Sequence, residues 1–62
     1  MPLAQIYIAP GRDDAKKKAM IAAVTEAISK TLGTPPEATS VIVQEIPRSH
    51  WATGGVTLDD KK

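Results

Sequence analysis

Pro2 stands directly behind Met1, and removing a methionine that precedes so small a residue would expose proline's secondary amine as the chain terminus. An α-amino group ordinarily titrates near ~7.7–8.0, and an apolar pocket or a nearby cation lowers that value by disfavouring the ammonium form. A processed chain would thus carry a neutral general base in its own backbone. Proline also suits the first residue of a strand, which is the structural alternative for the same position. His50 is a second proton carrier by residue type, but neither an acid nor a serine lies at triad spacing from it. Glu45 could orient a base or a water, pair with a neighbouring subunit, or face solvent. One histidine and no cysteine leave no metal-binding set, and no cofactor is expected.

These groups need a scaffold, and 62 residues make a single domain, residues 1–62, that buries too little surface to be comfortably stable alone. Disulfides are excluded by composition. With 42% hydrophobic but only 3% aromatic residues, the core is built of Ala, Val and Ile, so self-association is the remaining source of stability. The net charge is +1. Lys16, Lys17 and Lys18 are offset by Asp13, Asp14 and Glu26 and read as a solvated helix face, so no basic field for nucleic acid arises. Neither a leader pattern nor an apolar run of membrane-spanning length occurs, which predicts a cytoplasmic chain that does not enter a membrane.

Pro2 to Ile8 alternates, with Ala4, Ile6 and Ile8 on one face and Leu3, Gln5 and Tyr7 on the other, which predicts a strand. Ala9-Pro10-Gly11-Arg12 breaks it. Asp13 or Asp14 can cap a helix that runs to about Leu32, with Met20, Ala23, Val24, Ala27, Ile28 and Leu32 as its apolar stripe and Gly33 as its stop. Thr34-Pro35-Pro36-Glu37 forms the return loop, and β-branched Thr39 to Ile46 the second strand, which Pro47 ends. Arg48 to Gly55 reads as a loop or hairpin leading into a short strand around Val56 to Leu58, and residues 59–62 as a mobile tail. The predicted fold class is α+β: one βαβ unit with parallel strands plus a short C-terminal hairpin or strand. One helix covers one face of such a sheet, yet both faces of both strands carry apolar residues. The chain is therefore expected to be an obligate oligomer whose neighbours cover the open face.

In its order of elements and local motifs the chain resembles the 4-oxalocrotonate tautomerase family nearly end to end. The likeness is carried by Pro2-Leu3-Ala4-Gln5-Ile6, Gly11-Arg12-Asp13, Glu26-Ala27-Ile28-Ser29, Val41 to Glu45, His50-Trp51 and Gly54-Gly55. The resemblance implies a cofactor-independent isomerase, assembled as a homohexamer, that moves a proton between oxygen and carbon of a small carboxylate substrate. It also implies that Pro2 is the catalytic base and that Arg12 binds or polarises the substrate's oxygens across a subunit boundary. A cation beside developing enolate charge lowers the barrier, and a guanidinium can grip a carboxylate bidentately. Without the resemblance, Arg12 reads as a surface arginine near a helix start. The family's apolar aromatic wall falls on Trp51, which as the sole tryptophan could equally anchor an interface.

One position departs from the family. Its second arginine, early in the second strand, falls here on Ser40, whose hydroxyl can donate a hydrogen bond but brings no charge. Thr39 and Val41 cannot replace it, and nothing in the sequence aims Arg48, the nearest later cation, at a pocket. The first expectation is an enol–keto tautomerase acting on a 2-hydroxy-dienoate or enolised 2-oxo acid. One alternative is a hydratase or dehalogenase of small unsaturated acids using the same proline, although neither Glu37 nor Glu45 clearly matches the extra carboxylate that such relatives use. Another is a non-catalytic subunit of a hetero-oligomer whose other chain supplies the missing arginine.

Overall fold

The computed structural model of the chain describes residues 2–61. Met1, expected to be removed, and Lys62, the last residue of the expected tail, lie outside the described residues. Strand β1 (Leu3–Ile8) leads into helix α1 (Asp14–Leu32), which returns through a 3-10 turn at Pro36–Ala38 to strand β2 (Ser40–Glu45). A second 3-10 turn, Arg48–His50, precedes strands β3 (Ala52–Thr53) and β4 (Val56–Thr57). β1 and β2 pair in parallel, Leu3 opposite Ser40 through Ile8 opposite Glu45, and β3 and β4 form a separate antiparallel pair. The expected βαβ unit is present, and the C-terminal segment is a hairpin.

The local chemistry accounts for each boundary. Pro2 has no N–H and stands just outside β1, its carbonyl accepting from the Ser40 N–H at 3.0 Å. Asp13 caps the helix, its carboxylate accepting from the Lys16 N–H at 2.9 Å. Gly33 closes it in the left-handed region at φ 72°, donating to the Ser29 carbonyl at 2.9 Å. Thr39, expected to begin the second strand, instead caps the 3-10 turn just before it. Its N–H donates to the Pro36 carbonyl at 3.1 Å, and its hydroxyl lies 3.4 Å from that of Ser29 and 3.3 Å from that of Thr34. Two glycines in the left-handed region, Gly54 and Gly55, make the β3–β4 turn.

The inner face of the sheet carries half-buried Ala4, Ile6, Ile8, Val41 and Val43. The helix offers half-buried Lys17, Met20, Ile21, Val24, Thr25, Ile28 and Ser29, at spacings of three and four. This differs from the expected stripe, because Ala23, Ala27 and Leu32 are exposed while Ile21, Thr25 and Ser29 take their places. Thr25 can turn inward because its hydroxyl donates to the Ile21 carbonyl at 2.8 Å, and Ser29 because its hydroxyl meets Thr39.

The outer face has no cover. Leu3 is 56% exposed, Tyr7 52% and Ile42 44%, and no described residue is fully buried in the single chain. Covering the exposed half of such a side chain stabilises by about 1 kcal/mol, roughly half the value for full burial, and a two-stranded sheet is not self-sufficient. At micromolar concentration, sedimentation should show no appreciable folded monomer. Ile42→Asp, which places a charge in the middle of the open face, should dissociate or unfold the chain, with loss of helical circular dichroism. An unchanged sedimentation coefficient in that variant would remove this face from the interface.

Candidate active site

Pro2 is half-buried at the entrance of β1. Its carbonyl is held by the Ser40 N–H, and the next residue, Leu3, is in register with Ser40. Ser40, where the resemblance implies a second arginine, is therefore a direct neighbour of the candidate base in the same protomer. Ser40 is exposed, on the same outward face as Leu3, Gln5 and Tyr7.

Arg12 lies beyond the other end of the same strand, exposed in the loop between Ile8 and the helix. Six strand residues separate the two ends, a span of roughly 20 Å at the usual rise per residue. Because β2 is parallel to β1, its outgoing end is also at the Arg12 side, and it leads through Pro47 and the Arg48–His50 turn to half-buried Trp51. One chain thus places Pro2 and Ser40 at one end of the sheet, with Arg12 and the segment leading to Trp51 beyond the other. Pro2 and Arg12 can meet in one pocket only if different copies contribute them.

The remaining polar residues have local partners. Arg48 donates through Nη2 to the Leu58 carbonyl at 2.9 Å and through Nε to Asp59 Oδ1 at 3.3 Å. It thereby holds the turn in which the Asp60 and Lys61 N–H groups donate to the Thr57 carbonyl. Exposed His50 uses its main-chain N–H in the 3-10 turn, donating to the Pro47 carbonyl at 2.8 Å. Glu45, for which a neighbouring subunit or solvent was expected, pairs instead with Lys17 of its own chain, Oε1 to Nζ 3.2 Å. Lys17 also lies 3.2 Å from Asp14 Oδ1, so the middle lysine of the run is not merely solvated. Sequence inspection misses this contact because it depends on the register that brings the end of β2 beside the first helical turn. Among the described residues, no cluster of His, Cys, Asp or Glu could hold a metal ion, and no helix is long and apolar enough to cross a membrane.

The model of the tautomerase enzyme family matches residues 2–61. A 2-hydroxymuconate tautomerase of Pseudomonas putida is 46% identical over 55 residues, covering 89% of this chain and 87% of its own. Among solved structures, a 4-oxalocrotonate tautomerase isozyme of Methylibium petroleiphilum superposes with a TM-score of 0.90 at 37% identity, over 95% of each chain. A chain of the heterohexameric 4-oxalocrotonate tautomerase of Chloroflexus aurantiacus superposes with a TM-score of 0.93 at 27% identity, over 100% of each.

Gly11, the residue before Arg12, adopts φ 125°, where a side chain is strained, and a Cβ there would meet no atom within 4 Å. The cost of Gly11→Ala is therefore one of backbone conformation alone, about 1–3 kcal/mol. A lowered denaturation midpoint, measured by urea titration at fixed protein concentration, should report it. An unchanged midpoint would mean that the loop relaxes to another conformation freely.

Proposed function

The chain belongs to the tautomerase family, and from that premise we propose that it is an enol–keto tautomerase of small 2-hydroxy-dienoate or enolised 2-oxo acids. Pro2 acts as the base and Arg12 as the substrate-binding cation. The observation that supports this most is the tether at Pro2. The proline is half-buried and its carbonyl is fixed to Ser40, so a nitrogen freed by loss of Met1 would sit at a defined point at the sheet's entrance. That nitrogen takes the enol proton, leaving a dienolate. The resulting prolinium returns a proton to carbon, so the base is regenerated and no proton is gained or lost. Arg12 of a neighbouring copy faces the charge that develops on the substrate's oxygens, and Trp51 lines the pocket and keeps water from the amine. The copies assemble as a homohexamer.

Ser40 favours a second possibility, a subunit that relies on a different chain for a cation. The heterohexameric relative from Chloroflexus shows that mixed assemblies exist among its solved neighbours. Hydration or dehalogenation would need a carboxylate to activate water, and Glu45, which does not clearly match it by position, is also engaged with Lys17.

The test begins with intact mass. Processed protein should turn over 2-hydroxymuconate and a monocarboxylic enol, whereas protein retaining Met1, whose Pro2 nitrogen is a non-basic amide, should be inactive. kcat/KM should rise with pH through a pKa below the ordinary α-amino value, because only the neutral amine accepts the enol proton. Equal rates with and without Met1 would overturn the proline mechanism and favour the non-catalytic subunit.

Arg12→Ala should remove a charge-assisted hydrogen bond of about 1.5–3 kcal/mol, lowering kcat/KM by roughly one to two orders of magnitude. With serine at position 40, the monoacid should be handled at least as well as the diacid. A strong diacid preference would show that another cation fills the gap.

A further inference from the structure

The loop that carries Arg12 is anchored at both ends to the end of β2, by backbone pairing on one side and by the Glu45 side chain on the other. Ile8, the last residue before it, is in register with Glu45, and its carbonyl accepts from the Ile46 N–H at 2.9 Å. On the far side, Asp13 caps the helix and Asp14 and Lys17 occupy its first turn. Lys17 Nζ then crosses to Glu45 Oε1 at 3.2 Å. The strand end before the loop and the helix start after it thus converge on Glu45.

The two carboxylates around Lys17 are not equivalent. Asp14 is almost fully exposed and lies on the same helical turn, so its contact ties nothing distant together. Glu45, with its side chain 39% exposed, belongs to another element. The Lys17 side chain is only 21% exposed and borders an open groove of about 410 Å³ with Ile21 and Val43 in its lining. Hydrogen bonds to Asp14 and then to Glu45 raise the lysine's pKa above its ordinary value, so it remains charged at neutral pH. Elsewhere the loop has little to hold it. Gly11 contributes no side chain, and Arg12 is exposed one residue before the cap.

We propose that the Lys17–Glu45 ion pair is a clasp that positions Arg12, setting the angle between the start of α1 and the end of β2 and hence where the guanidinium projects toward a neighbouring copy. This rests on the substrate role of Arg12 argued above. Lys17 and Glu45 touch no substrate, so both are positioning residues. A cation that must reach another protomer's pocket is sensitive to its own base, because misplacement by an ångström can cost orders of magnitude in rate.

The test is a set of variants of the assembled, processed protein, each checked for oligomer mass and thermal midpoint. Lys17→Met keeps the aliphatic stem and Glu45→Gln keeps the shape. Each should lower kcat/KM by about two- to fivefold, the range of a partly exposed pair, and the double variant should lose no more than either single one. Lys17→Arg, which preserves charge and reach, should retain most of the activity. In an Arg12→Ala background neither substitution should matter further, an outcome that a merely structural role would not produce. Full activity in Glu45→Gln beside an impaired Arg12→Ala overturns the clasp alone. Equal losses with and without Arg12 overturn it too, and so does dissociation of either variant, which would identify the pair as an assembly contact. Full activity in Arg12→Ala overturns the substrate role and the clasp together.

Discussion

A parallel pair of strands must send both outgoing ends the same way, and this arrangement depends on that constraint. The register from Leu3 opposite Ser40 to Ile8 opposite Glu45 sorts the polar residues by end. Pro2 and Ser40 share the entrance, while Arg12, Glu45 and the segment leading to Trp51 share the exit. A helix long enough to cross back between the strands gives the chain its inner core and also separates its chemical groups. A pocket that needs both ends has to be made from more than one copy.

The same geometry governs stability. A single helix can dry only one face of the sheet, and it does so incompletely, since even the inner residues remain half-buried. The outer face, with Leu3, Tyr7 and Ile42 at its surface, is the complementary half of that shortage. The hydrophobic deficit of a very short chain calls for assembly, and the proposed roles of Pro2 and Arg12 would call for it a second time. Ser29, Thr34 and Thr39 join the helix end to the entrance of β2, and Lys17 with Glu45 joins the helix start to its exit.

Much of the fold was legible in the residues. Alternation in β1, Asp13 before the helix, Gly33 after it and the β-branched run of β2 each have a local physical cause, and the resemblance to the tautomerases rests on short motifs spread along the chain. The helix face was less legible, because alanine counts as apolar on any pattern yet stabilises little when buried, whereas Thr25 and Ser29 count as polar until their hydroxyls find partners. Thr39 has the propensity of a strand residue but is claimed by the turn after two prolines. At the candidate site, residue types could be read directly: a proline behind methionine, an arginine after glycine, a lone tryptophan. Spatial relations could not. The contact between Lys17 and Glu45 depends on strand register, and the separation of Pro2 from Arg12 on the direction of β1.

The C-terminal hairpin has two residues per strand, a turn of two left-handed glycines, and a Leu58 N–H donating to the Trp51 carbonyl at 2.8 Å across its base. Such a unit is far below the size at which a hairpin persists in water. Arg48 braces its end through the Leu58 carbonyl and Asp59, but these contacts are exposed, and without cover from another copy its amides would exchange with deuterium readily. Slow exchange at Leu58 would then report the stability of the contact between copies, independently of catalysis and of any spectroscopic label.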